Sequence, residues 1–160
     1  MGLKGQASYY VNYYSGSSAI PSINYFDILS GAVTQGRVAN YVPNCIFVHP
    51  ADYNTMVTSR DTYGRYQFPN FLFGQPAMVN EAQVIPNTAV NQGDFFVGDF
   101  TLGATLAYRD EINVTFSNQH VDNFVKGFIT VLVEERLALV VYRPTAFVYG
   151  TFNLAMVSGS

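Results

Sequence analysis

The sequence predicts a chain of the α+β or mixed α/β class carrying one overlong β-hairpin, and three observations predict it. Tyr25, Ile28, Leu29 and Ala32 recur at helical spacing over residues 24–34. The apolar run Cys45-Ile-Phe-Val48 reads as a short buried strand, and Pro50 follows at a position that helix starts favour. Residues 128–142 are almost unbroken β-former, although Glu134-Glu135-Arg136 lies in their middle. An ordinary strand has about five or six residues, whereas this run would extend roughly 50 Å. A strand of that length leaves one core and runs towards something else, and a second copy of the chain is the expected partner.

The elements follow in order. Residues 1–23 are rich in Tyr, Ser and Gly and show no period, so an irregular arm or loop is expected. Asn24 is positioned to cap the first helix and Gly36 to stop it. After the strand at 45–48 and the helix that begins at Pro50, Asp61-Thr-Tyr-Gly64 reads as a turn, and residues 65–69 lead into another loop. Residues 75–79 and 83–85 resemble strands, the first demoted to an edge or a strand start by Pro76. A turn at 91–94 leads into a buried strand over 95–100, and 104–108 is the next strand. Asp110-Glu111 reads as a solvated turn pair. Residues 112–117 alternate apolar and polar strictly, which predicts one buried and one wet face. A turn or short helix over 120–126 would then let 112–117 pair with the long strand as an antiparallel hairpin. Pro144 ends that strand, residues 146–149 add a short segment, and 153–160 form a flexible tail.

Composition narrows the function. Aromatics reach 16%, with 12 Tyr, 13 Phe and no Trp, while charged residues are only 12%, about half the usual share. Interfaces enrich Tyr and Phe and deplete Lys and Glu, so this surface suits contact better than solitude. The net charge is −3, and six Arg with two Lys form no basic stripe, which argues against direct nucleic-acid binding. Cys45 stands alone in an apolar run and is expected as a buried free thiol, in keeping with a reducing compartment. No segment has the length or apolarity of a membrane span or a signal peptide. Asn113-Val-Thr115 matches a glycosylation sequon and is read as chance.

Catalytic patterns are scarce. His49 and His120 have no second ligand at metal-binding spacing, and neither a nucleophile elbow nor a phosphate-binding glycine loop occurs. No cofactor, metal or catalytic residue is expected. Glu134-Glu135-Arg136 carries the chemical interest: on a strand, Glu134 and Arg136 share one face and Glu135 takes the other. Charges within an apolar run need partners. An ion pair to another subunit or plain solvent on an exposed hairpin face would both provide them.

Several motifs, in this order, carry a resemblance: Val48-His-Pro-Ala-Asp52; Asp61-x-x-Gly64-Arg-Tyr66; Gly74-x-Pro76; Phe96-Val-Gly-Asp-Phe100; Asp110; Asp122-Asn-Phe-Val-Lys126; Glu134-Glu-Arg-Leu-Ala138; and Tyr142-Arg-Pro-Thr-Ala146. Together they resemble the C-terminal part of a tailed-bacteriophage major capsid protein of the Hong Kong-97 type, over about residues 24–152. The resemblance implies an axial domain with a central mixed sheet flanked by helices, from 24–110 and 137–152, and a peripheral-type hairpin from 111–136. It further implies a virion protein made in the bacterial host cytoplasm, whose hexamers and pentamers build an icosahedral shell around double-stranded DNA without reading its sequence. No membrane partner is implied. Glu134, Arg136, Tyr142 and Arg143 become the candidates for subunit contact. A family member carries an arm, an extended loop and a spine helix before this region, so the chain is expected to be a fragment, and its closure into a shell unaided is not expected. The type member joins subunits by an isopeptide bond between a lysine of the extended loop and an asparagine, promoted by a glutamate. Glu134 matches the glutamate, but Gly127 stands at the asparagine's place, and self-cross-linking is expected to be impossible.

Two other readings compete. An encapsulin-like nanocompartment shell shares the fold but encloses protein cargo. A small α/β enzyme or ligand-binding domain would use Asp99, Asp110 or His49 in a cleft, and would need a deep pocket with converging polar groups.

Overall fold

The computed structural model describes residues 3–11, 24–72, 74–117, 127 and 129–152. The expected turn or short helix at 120–126, the Asp122–Lys126 motif and the expected tail at 153–160 lie outside the described residues. The chain divides into two compact units, one of Met1–Ala104 with Val141–Ser160 and one of Thr105–Val140.

The first unit is built on a mixed six-stranded sheet. Its strands are β1 (Ser8–Tyr9), β2 (Cys45–Val48), β3 (Met78–Val79), β4 (Ala82–Pro86), β5 (Asp94–Gly98) and β8 (Phe147–Thr151), in the order β1-β8-β5-β2-β4-β3. Strand β5 is central and antiparallel to both neighbours, with Phe96 opposite Phe47 and Tyr149. Parallel pairs join β2 to β4 and β1 to β8. Alternation along the strands divides the apolar residues into two clusters. Ile46, Val48, Val84, Phe95, Val97 and Val148 face α1 (Tyr25–Val38) and α2 (Pro50–Val57), meeting Ile28, Leu29, Ala32, Val33 and Met56. Phe96 and Phe147 face the other way, with Phe47, Phe100, Tyr149 and Leu3 against them. Fully burying Ile28 or Leu29 stabilises the unit by roughly 1.5–3 kcal/mol each.

Local chemistry sets the helix ends. Asn24 Oδ1 accepts from Asp27 N at 3.0 Å and Asp27 Oδ2 accepts from Asn24 N at 3.0 Å, a reciprocal cap. The expected stop at Gly36 is corrected: α1 runs through to Val38. Gly36 lies inside the helix because a β-carbon there would meet Pro43 Cγ at 2.6 Å. The stop is Asn40, left-handed at φ 64°, with Tyr41 N bonded to Gly36 O at 3.1 Å and Asn40 N to Arg37 O at 2.9 Å. That pattern satisfies the carbonyls of the last turn with asparagine in glycine's usual place.

Other expectations also shift. Residues 3–11, expected as irregular, hold a 3-10 turn (Leu3–Gly5) and β1, because Tyr10 packs edge-on against Phe95 at 5.4 Å and is buried with it. The strand expected over 95–100 ends at Gly98, since buried Asp99 caps a short helix α4 (Phe100–Gly103) by accepting from Thr101 N and Leu102 N. The strand expected over 75–79 shrinks to Met78–Val79, and a one-turn helix α3 (Pro69–Leu72) interrupts the expected loop. Cys45 is half-buried, and that burial pushes its thiol pKa up.

The second unit is a ribbon of β6 (Ala104–Ser117) paired with β7 (Thr130–Val141). Asp110 and Glu111, read as a turn from the sequence, lie in the middle of β6. The strand continues through them, and Asp110 lies 3.7 Å from its ion-pair partner Arg136 across the ribbon. Gly103 O accepts from Tyr142 N at 3.0 Å and Arg143 N at 3.2 Å, so β6 starts beside the end of β7 and the two run in opposed directions.

Candidate functional site

The ribbon is the first candidate. Its residues from Thr105 to Ser117 and from Thr130 to Leu139 are exposed throughout. Within β6, Leu106, Tyr108, Ile112, Val114 and Phe116 share one face, with Asp110 among them, and mostly polar residues take the other. The wet and buried faces expected for 112–117 are therefore both exposed in the free chain. Strand β7 is apolar on both faces, with Leu132 on one and Val131, Val133, Leu137 and Leu139 on the other. An isolated two-stranded ribbon is marginally stable in water, and so large an apolar exposure marks an interaction surface.

The charged residues form a girdle across the ribbon's middle. Glu134 and Arg136 fall on one face of β7 and Glu135 on the other, as strand alternation requires. Arg109, Asp110, Glu111, Asn113, Glu134 and Glu135 line a shallow polar depression there. The Asp110–Arg136 pair is exposed on both sides, where such pairs contribute about 0–1 kcal/mol. Tyr142 and Arg143 adjoin the ribbon's end in sequence and are exposed, held by their backbone bonds to Gly103. Gly127 is exposed and left-handed, at φ 69°.

A second site lies on the sheet face away from α1 and α2, and nothing in the sequence patterns pointed to it. Leu3, Phe47, Val90, Phe96, Phe100 and Tyr149 line an apolar groove of about 390 Å³. Asp94 stands at it, and its Oδ2 accepts from Tyr149 Oη at 2.7 Å and from Lys4 Nζ at 3.0 Å. Lys4 also sits 4.4 Å from the centre of the Tyr149 ring. Hydrogen bonding to Tyr149, then to Asp94, raises the Lys4 pKa, and burial raises that of Tyr149. A contact between Lys4 and Asp94, ninety positions apart, leaves no local signal in a sequence.

The residues weighed for catalysis are placed otherwise. His49 precedes α2 and its Nδ1 accepts from Ala51 N at 3.2 Å, so it caps a helix. Asp99 caps α4, and Asp110 is paired with Arg136. Among the described residues, no group of three His, Cys, Asp or Glu side chains could hold a metal, and no helix is long and apolar enough to cross a membrane.

Comparison with known proteins agrees with this geometry. The model of the phage capsid family matches residues 4–152. The major capsid protein of Enterobacteria phage HK97 is 35% identical over 134 residues, covering 79% of this chain and 33% of that protein. Among solved structures, the capsid of an empty GTA particle superposes with a TM-score of 0.67 at 16% identity, covering 91% of this chain and 50% of that one. A structure from Gordonia phage Cozz gives 0.66 at 18%, covering 94% and 51%. A virus-like particle from Pyrococcus furiosus gives 0.58 at 9%, covering 92% and 58%. The chain thus spans a third of its curated relative and about half the length of these structural neighbours, whose likeness shows the fold. With residues 4–152 matched by the family model, this chain belongs to the phage capsid family.

Proposed function

We propose that this chain is a structural subunit of a tailed-phage head, a major capsid protein that works by self-association and performs no catalytic step. The observation that carries the reading is the ribbon, whose 14- and 12-residue strands expose apolar side chains on both faces. In a chain of the phage capsid family, such a surface is expected to be covered by neighbouring copies. The six-stranded unit corresponds to the axial-type domain and the ribbon to the peripheral-type hairpin. Hexamers and pentamers would build an icosahedral shell enclosing double-stranded DNA, assembled in the host cytoplasm. The chain's small negative charge, with no basic stripe, suits a wall that does not grip its contents. Glu134, Arg136, Tyr142 and Arg143 are the proposed contact residues, and Gly127 in the acceptor's place favours a shell held without covalent links.

The phage relative at 35% identity favours this reading over a nanocompartment shell, and the three residues weighed for catalysis have structural partners instead, His49 and Asp99 as helix caps and Asp110 in its pair with Arg136. Electron microscopy of the expressed protein, with nucleic acid assayed in the purified particles, tests the proposal. DNA-filled icosahedral particles are expected. Particles filled with protein cargo, or no particles, would overturn it.

A further inference from the structure

We infer that the loop carrying Tyr63 and the apolar groove beside Asp94 are the two halves of a head-to-tail contact between copies of this chain. The inference rests on the subunit reading above and names one contact within it.

Tyr63 is the most exposed large hydrophobic side chain among the described residues, at 83%. Its loop is nonetheless locked. Asp61 Oδ1 accepts from Tyr63 N and Arg65 N, both at 2.9 Å, and Asp61 Oδ2 takes the Arg65 guanidinium at 3.1 Å. Gly64 closes the turn at φ 79°, and Arg60 bonds the Tyr66 hydroxyl at 2.8 Å across a bridge between the two residues. A rigid tip of tyrosine flanked by Arg60 and Arg65 has the composition of interface anchors, and its order is already in place before binding.

The groove offers the complement. Its apolar lining and volume of about 390 Å³ accommodate an aromatic ring with a flanking side chain. Among the described residues Asp94 has its Oδ2 engaged, which leaves Oδ1 as an acceptor for the hydroxyl of Tyr63 or for an arginine.

One chain cannot make this contact with itself. The loop follows α2, which packs on one face of the sheet, whereas Phe47, Phe96 and Tyr149 of the groove belong to the other face. Two unlike surfaces on opposite sides of a subunit form a heterologous contact, which generates a ring when its rotation closes.

Tyr63→Cys and Ala89→Cys, the latter in the groove's lining, are made separately in a Cys45→Ala background. Each variant alone and the two mixed are oxidised with copper–phenanthroline, and light scattering follows the same samples. Disulfide-linked dimers are expected in the mixture and in neither single sample. In the otherwise native chain, Tyr63→Ser is expected to weaken self-association at least tenfold with an unchanged thermal midpoint. Oligomers that form without the 63–89 link overturn this contact and leave the subunit reading standing. Linked dimers in the Tyr63→Cys sample alone overturn it in favour of a symmetric contact. Monomers in every sample overturn both for this chain.

Discussion

Asp52 Oδ2 accepts a hydrogen bond of 2.6 Å from the backbone N–H of Gly93, forty-one positions away. Asp52 lies in the first turn of α2 and is buried, so this bond ties that helix to the turn entering β5. Gly93 itself is left-handed, at φ 84°. Truncating the acceptor leaves a donor without its partner, which costs about 1–3 kcal/mol when the group is buried. Asp52→Ala is therefore expected to lower the unfolding free energy by that amount, through the urea midpoint and without a change of slope. A midpoint equal to wild type would show that water replaces the carboxylate.

The ring of Phe147 occupies space that two glycines leave open. A β-carbon at Gly103 would meet Phe147 Cζ at 2.6 Å, and one at Gly98 would also collide with the ring. Overpacking of this kind costs typically about 1–3 kcal/mol. Gly103→Ala is expected to lose that much, and adding Phe147→Leu is expected to return part of it. Denaturant curves of the two single variants and the double variant measure the coupling. Simple additivity would refute the steric account.

These two contacts show where sequence reading ends. The first helix, the strand at 45–48 and the long run before Pro144 were legible because their apolar period or β-forming composition is local. The Asn24 cap was legible for the same reason, since its partner Asp27 is three residues away. Gly36 misled because a glycine can serve close packing as well as a helix stop, and Pro43 decides between the two. Asp110-Glu111 misled because its partner, Arg136, comes from another strand. Of the candidate site, the ribbon and its charges were legible, whereas the groove at Asp94 was not. It is assembled from Leu3, Phe47, Phe96 and Tyr149, and only tertiary structure brings these together.

Arg136 and Asp110 are both exposed, so reversing one charge should hardly touch the fold. Arg136→Glu is expected to change stability by less than about 1 kcal/mol. If the girdle meets charges on a neighbouring copy, the same variant should reduce self-association, and the reduction should shrink as added salt screens the ribbon. Thermal melts and light scattering, run together over a salt series, separate the effects. Unchanged association would mean that the girdle is a solvated face.

The loop at Asp61 should respond to acid. Its carboxyl is held below the ordinary range, chiefly by the Arg65 N–H, with Tyr63 N–H and the Arg65 side chain adding to the effect. A depressed folded-state pKa contributes stability that is present above the unfolded value, about 3.9, and is lost as pH falls through the lower folded value. The difference in urea midpoint between wild type and Asp61→Asn should therefore be constant from about pH 7 to about 5. It should close on further acidification. A difference that persists at about pH 2 would place the effect in packing rather than in the charge.

Gly127 tests whether the proposed shell is held without covalent links. It is left-handed at φ 69°, and no atom of the described residues lies within 4 Å of the position its β-carbon would take. Asparagine is among the few residues that visit this conformation readily, so Gly127→Asn should fold with a midpoint close to wild type. Particles of this protein should run as separate chains on a denaturing gel, because glycine offers no side-chain amide for a lysine to attack. If Glu134 has the promoting role that the resemblance implies, and a lysine of a neighbouring copy reaches position 127, the Gly127→Asn variant should gain a covalent ladder, and adding Glu134→Gln should abolish it. A ladder already present in the wild-type particles would mean that another residue supplies the acceptor. A ladder absent from the asparagine variant would mean that no lysine and promoter act together at position 127.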